Sequence, residues 1–252
     1  MESVDRDRAT SPPGVAEVMR IEPEISGVEV VLLGDFNPAI FTPAWFAMHG
    51  LLPMAAADSA DLQVAHRQLT VFSTDWLQLQ VATNRFVADT GQAPHVRVRD
   101  LVVRVFKEHL LHTPLNAMGI NRNVHFRVGS SAERDRIGRA LAPVEPWGRW
   151  RQALELDGEK NGMASLTMSQ HDPTDRPPGG AVRVRVEPSN RVGDGDSGVF
   201  VQVNDHYAVA DAASNGGTQL MKFLDDRFDA SIRRSEDIID HIMSLAREPE
   251  VS

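Results

Sequence analysis

Four polar side chains next to strand-like segments are the first candidates for contacts with a ligand. Asp205 and His206 leave an apolar segment together and place a carboxylate beside an imidazole. Arg183 and Arg185 alternate with valines, so their guanidinium groups share one face of a predicted strand. A carboxylate beside an imidazole could perform acid–base chemistry, although a capped turn explains the same pair and is the favoured interpretation. We therefore assign no catalytic residue and predict these four as ligand contacts.

Other short motifs resemble functional sites but are better explained as local structure. Asp89–Gly91 and Asp196–Gly198 read Asp-Thr-Gly and Asp-Ser-Gly, as in aspartic proteases, which pair two such carboxylates. Neither is followed by the apolar element of that class, and the second lies in a glycine-rich stretch without the glutamate of a calcium loop. His109 and His112 lie near a predicted helix end, where the dipole favours histidine. We predict turns at both triplets, and no metal or cofactor.

Composition and charge limit the classes of function. The 252 residues contain no cysteine, which excludes disulfides and cysteine nucleophiles, and the net charge of −9 repels nucleic acid. Of the 26 basic residues only Lys107, Lys160 and Lys222 are lysines, and the arginines are scattered. The N-terminus is charged, without the apolar core of a secretory signal, and no apolar stretch approaches the roughly 20 residues of a membrane span. These features predict a cytoplasmic protein without membrane contact.

Hydrophobic periodicity predicts an α+β fold in three parts. Residues 1–24 form a flexible N-terminal lead, residues 25–129 a β-α-β-β-α-β half, and residues 130–252 an antiparallel meander with a long C-terminal helix. Predicted strands are Val28–Phe36, Arg67–Phe72, Trp76–Val87, Met118–Val128, Trp150–Leu156, Ala164–Gln170, Ala181–Glu187 and Val199–Asn204. Predicted helices are Pro43–Met54, Arg97–His112, Ser131–Leu141 and Gly217–Arg247. We expect antiparallel sheets in two halves, each covered by helices, with the last amphipathic helix across the second sheet.

Several of these segments also resemble a sporadically distributed family of bacterial proteins of about 250 residues. The segments that carry the resemblance are Gly27–Leu32, Asp75–Gln80, Asn84–Phe86, Met118–Asn123 and the final helix with Phe228 and Ser231–Ile232. In that family the glycine is usually followed by a strand containing an aromatic residue, whereas Ile120–Arg122 contains none. The family is uncharacterised, so the resemblance implies no active site.

The absence of a catalytic signature makes a non-enzymatic binding or assembly protein the leading functional hypothesis. Strands with one solvent-exposed face and a long helix indicate protein–protein contacts, with a partner protein or with a second copy of the chain. The alternative is a small-molecule-binding protein or hydrolase with a cavity between the sheet and the C-terminal helix. Nucleic-acid binding through arginine faces is a weaker alternative.

Overall fold

Nine strands of the described chain form one antiparallel sheet in this computed structural model. The structure describes residues 20–154, 161–209 and 216–247. The strands are β1 Ile25–Gly34, β2 Asp61–Ala65, β3 Leu69–Ser73, β4 Gln78–Ala82, β5 Arg85–Thr90, β6 Leu115–Arg127, β7 Leu166–His171, β8 Ala181–Pro188 and β9 Gly198–Ala208. Their order across the sheet is β2-β3-β4-β5-β1-β6-β9-β8-β7. The predicted lead lies outside the described residues as far as residue 19, and Arg20 pairs with Asp240.

Six α-helices of the described residues accompany the sheet, and none of them is long and apolar enough to cross a membrane. They are α1 Pro43–Met48, α2 Met54–Asp58, α3 Val96–Arg104, α4 Ser131–Leu141, α5 Arg151–Leu154 and α6 Gly216–Ser244. The Ser130 hydroxyl accepts a hydrogen bond from the Glu133 amide, which caps α4 as its sequence predicts. After α3 the chain makes a π-helical turn over Val105–His109.

The two halves of the chain repeat one plan. In each, a first strand leads through helices into an antiparallel meander, and the last strand of the meander returns beside the first. A helix then follows, α3 in the first half and α6 in the second. The first strands of the two halves, β1 and β6, pair with each other in the middle of the sheet. The predicted boundary after residue 129 had placed β6 in the first half, whereas its pairing with β9 makes it the first strand of the second. The predicted α+β class with antiparallel halves and a long C-terminal helix is therefore confirmed, and the halves share a single continuous sheet.

Three predicted segments differ from the structure, and one strand was not predicted. Pro43–Met54, predicted as one helix, is two, because α1 ends at Met48 and α2 begins at Met54. Trp76–Val87 is two strands, β4 and β5, because the chain turns between Ala82 and Arg85, where Asn84 provides a residue that favours turns. Trp150–Leu156, predicted as a strand, contains helix α5, in keeping with the four-residue spacing of its apolar residues. Strand β2 was not predicted from the sequence at all, and its five residues are all exposed.

The helices bury two apolar clusters against the same face of the sheet. The first joins Val30, Phe86 and Leu101 to Phe228 of α6, and the second joins strands of the second half to the end of α6. Arg122 lies in central strand β6 on this helix-covered face. Its guanidinium donates a hydrogen bond of 3.0 Å to the carbonyl of Gly27 and faces Glu236 of α6 at 3.9 Å.

Candidate functional site

The opposite face of the sheet is left open by the described helices. Side chains alternate between the two faces of a strand, so Val28 and Val30 of β1 enter the first apolar cluster, whereas Glu29 points the other way. The same alternation in β6 separates buried apolar residues from Asn121, Asn123 and His125. Polar side chains therefore collect on the open face.

One row of polar side chains crosses this open face, and its seven members from β4 to β7 continue in register through Ser73 of β3 to Asp61 of β2. Each member of the row pairs in register with the next on the neighbouring strand, from β4 to β7. The row is Gln78, Asp89, Glu29, Asn121, Asn204, Arg183 and Ser169. At about 4.8 Å between strands it spans roughly 29 Å. Its carboxylates lie on the β5–β1 side and its guanidinium on β8, with amides between them.

The middle of the open face is recessed relative to its margins. Asn121 is only 6% exposed and His125 only 7%, although no described helix covers them, whereas Gln78, Arg183 and Ser169 at the ends of the row are exposed. The chain therefore shields these two central side chains from solvent, whereas solvent reaches the ends of the row. We call this recessed, polar open face the trough.

Hydrogen bonds between neighbouring strands fix the side chains along the trough. Glu29 accepts hydrogen bonds from Asn121 at 2.9 Å and from Arg85 at 3.4 Å. Asn204 donates to the side-chain oxygen of Asn121, so a chain of contacts links β1, β6 and β9. In the next row Gln202 donates to Asn123 at 2.8 Å. Amides that are held in this way present their remaining N–H and C=O groups in fixed directions.

A cavity of about 630 Å³ lies in the trough, along the side of the polar row that contains Gly27 and His125. Two loops, residues 74–77 and 188–191, form its walls, and Asp89, Asn123 and Gln202 contribute polar groups to its lining. Gly27 and Gly91 also line the cavity and contribute no side chain. A Cβ atom built on Gly27 would meet its nearest neighbour at 3.4 Å, which is ordinary van der Waals contact. Glycine therefore leaves usable space here for a ligand group.

Asp89 is the most perturbed carboxyl group of the cavity. Burial is the main cause that raises its pKa from 3.8 to about 6, the nearby charge of Glu29 raises it further, and Arg191 acts in the opposite direction. Among the described residues no donor forms a hydrogen bond with its carboxylate oxygens, whereas Glu29 beside it has two donors. Perturbed carboxyl groups inside clefts are typical of functional sites.

A second titratable group of the cavity, His125, contacts a serine. Its Nδ1 lies 2.8 Å from the Ser189 Oγ, which also accepts a hydrogen bond of 3.1 Å from the backbone amide of Arg191. The His125 ring packs on Phe200 with 4.6 Å between ring centroids. Burial lowers the pKa of His125, and the charge of Arg191 lowers it further. Both effects favour the neutral imidazole, which can share a hydrogen bond with the Ser189 hydroxyl.

The four residues predicted as ligand contacts lie on opposite faces of the sheet. Arg183, Arg185 and His206 lie on the open face, where Arg183 stands beside Asn204 and Arg185 beside Gln202 in register. Asp205 points to the helix-covered face, because β9 continues through it to Ala208 and keeps its alternation. The fold therefore places three of the four residues on the same face, and of these three only Arg185 lines the cavity.

Asp205 instead belongs to a buried ion-pair network beneath α6. Its carboxylate contacts Arg176, and Arg234 of α6 donates a hydrogen bond of 2.9 Å to it. The side chain of Arg176 is 1% exposed and that of Asp205 2% exposed, and Arg234 also binds Asp175 at 2.6 Å. Two guanidinium groups and the Tyr207 hydroxyl surround this carboxylate, so Asp205 holds α6 against the sheet.

Sequence reasoning missed Asp89, which it assigned to a turn, and its alternative hypothesis of a small-molecule-binding protein or hydrolase placed a cavity between the sheet and the C-terminal helix. Asp89 lies inside β5, paired with Gln78 and Glu29. The space between the sheet and α6 is filled by the two apolar clusters, and the 630 Å³ cavity lies on the open face. The alternation of Asn121, Asn123 and His125 in the sequence was a usable signal for a polar strand face.

No three histidine, aspartate or glutamate side chains of the described residues are grouped in a way that could hold a metal ion. His109 stacks near His49 with 4.5 Å between ring centroids, beside Trp45.

Comparison with known proteins adds no family: neither a protein-family model nor a curated protein matches this chain. Function must therefore be inferred from the trough and its cavity.

Proposed function

We propose that this protein is a non-enzymatic binding protein that holds a polar polypeptide segment of a partner protein in the trough. The observation that carries the proposal is the seven-residue polar row, which runs across the sheet on a recessed face without a covering helix among the described residues. Polar side chains that are already fixed by neighbours lose little further freedom when a partner binds, which favours recognition.

The distribution of charge in the trough favours a polypeptide over nucleic acid. Asp89 and Glu29 lie on one side, Arg183 and Arg185 on the other, and the amides lie between them. A phosphate backbone would meet the carboxylates unfavourably, and phosphate contacts supply most of the affinity for nucleic acid. A polypeptide can offer basic groups to one side and acidic groups to the other, and backbone groups to the amides.

The test is capture of a partner by matched variants. The double variant Asn123→Ala/Gln202→Ala removes an amide pair of the trough. Lys222→Ala, on the exposed side of α6, is the control. A partner that wild type and the control capture from an extract of the source organism should be lost from the double variant. The same partner, once purified, should bind wild type with a weaker salt dependence than nucleic acid shows. Equal binding by all three proteins would contradict the proposal.

A second candidate, hydrolase activity, is favoured by the contact between Ser189 and His125. A serine hydroxyl 2.8 Å from an imidazole could be activated as a nucleophile. However, Ser189 is only 3% exposed and its Oγ already accepts the Arg191 amide, as in a serine-stabilised turn. A fluorophosphonate probe, which labels activated serines, decides between the two. We expect no labelling of Ser189, and labelling that Ser189→Ala abolishes would favour the hydrolase.

A further inference from the structure

The carboxylate of Asp89, in the cavity of the trough, accepts no hydrogen bond from a described residue. A role for this cavity in partner binding rests on the proposed function of the trough. We propose that the cavity binds a cationic side chain of the partner, a guanidinium or an alkylammonium group, through the carboxylate of Asp89. The proposal adds to the trough one specific subsite and the chemistry of the group that fills it.

The hydrogen bonds around the two neighbouring carboxylates identify which one is available. Glu29 is held by Asn121 and Arg85, whereas Asp89 accepts no hydrogen bond from any described residue. The two residues face each other in register on β1 and β5, so their negative charges add in one place. A donor with a positive charge satisfies the free acceptor and offsets the repulsion between the carboxylates, which a neutral donor does not do.

The space beside Asp89 fits the end of a side chain. A Cβ atom placed on Gly27 would lie 3.6 Å from the Asp89 Oδ1 and 3.4 Å from the Thr90 carbonyl oxygen, and the same position on Gly91 is also uncrowded. The floor of the cavity is therefore bare backbone next to the carboxylate. Flat groups approach a backbone closely only where side chains are missing, which is a common use of glycine.

Other polar groups of the cavity suit the edges of such a group. Asn123 and Gln202 bind each other through one amide N–H, so other N–H and C=O positions of the pair stay open to a ligand. Arg191 lies at the exposed rim, close enough for its charge to act on Asp89, yet it forms no hydrogen bond with that carboxylate. A guanidinium from the partner can therefore reach Asp89 without displacing an existing ion pair.

The probe is Nα-acetyl-arginine amide, and its matched control is the citrulline analogue, in which a neutral urea replaces the guanidinium. Titration of the folded protein, followed by amide chemical shifts in NMR, should show saturable binding of the arginine probe around Gly27 and Gly91. The citrulline probe should bind at least about tenfold more weakly, as expected when a charge-assisted hydrogen bond is lost. Equal binding of the two probes would overturn the proposal.

Two variants locate the subsite. Asp89→Asn keeps the shape of the side chain and removes its charge, and Gly27→Val fills the space beside the carboxylate. Each variant should bind the arginine probe at least about tenfold more weakly than wild type. Asp226→Asn, on the exposed side of α6, is the control and should bind like wild type. Unchanged binding in Asp89→Asn contradicts the cation subsite. If the partner still depends on Asn123 and Gln202 in that case, the trough stands and only the subsite fails.

Discussion

Replacing Asp89 with asparagine should make the folded protein more stable at neutral pH. Burial, and then the charge of Glu29, raise the pKa of Asp89 from 3.8 to about 6, so ionisation of this carboxyl costs free energy in the folded state. A rise of that size corresponds to about 3 kcal/mol. Because Asp89 remains partly exposed, solvent screening reduces the expected gain for Asp89→Asn to about 1 kcal/mol.

The pH dependence of that gain follows from the sign of the pKa change. Below the unfolded pKa of 3.8 the carboxyl is protonated in both states, so the variant gains nothing there. Between 3.8 and about 6 the unfolded chain ionises first, and wild type loses stability relative to the variant. Above about 6 the difference is constant.

Urea denaturation of the two proteins at about pH 7.5 and at about pH 3 measures this difference directly. The other titratable groups are shared, so their effects cancel in the comparison. We expect the variant to be more stable at the higher pH and equal to wild type at the lower one. A variant that is less stable than wild type at about pH 7.5, or equally stabilised at both values, would refute the electrostatic account of Asp89.

Three further predictions concern stability. Asp205→Ala should destabilise the fold by about 3 kcal/mol, because it leaves the buried Arg176 guanidinium without its main carboxylate. Arg183→Ala, on the open face, should change the free energy of unfolding by less than about 0.5 kcal/mol. Urea denaturation measures both variants. Phe228→Ala should cost about 3–4 kcal/mol by leaving a cavity beneath α6, which thermal unfolding will detect. Gly27→Val should keep the fold, because its Cβ meets no atom closer than 3.4 Å and the cavity that Gly27 lines has room for its two methyl groups; circular dichroism should match wild type.

Local patterns were enough to predict most of the elements. Val182, Val184 and Val186 alternate with polar residues and form β8, and the apolar stripe of the last helix enters both clusters as α6. The Ser130 cap fixes the start of α4. These features depend on neighbours in the sequence, so they are readable without the fold.

The site was harder to predict because it depends on pairing between distant strands. Asp-Thr-Gly at Asp89 has the composition of a turn, and only its pairing with Gln78 and Glu29 makes it part of a strand. For Asp205, counting alternate positions back to Val203 and Val201 would have placed it on the apolar face, but the predicted strand ended at Asn204. That the two halves form one sheet follows from the pairing of β1 with β6, which lie far apart in the sequence.

Site-specific photo-crosslinking tests the role of the trough most directly. A benzophenone amino acid is placed at Ser169, the exposed end of the polar row on β7, and separately at Lys222, on the exposed surface of α6. We predict that the Ser169 protein crosslinks in cells to one partner polypeptide, through a segment of that partner with a basic residue, and that the Lys222 protein does not. Crosslinking of the same partner from Lys222 alone, with none from Ser169, would contradict the assignment of the open face as the binding surface.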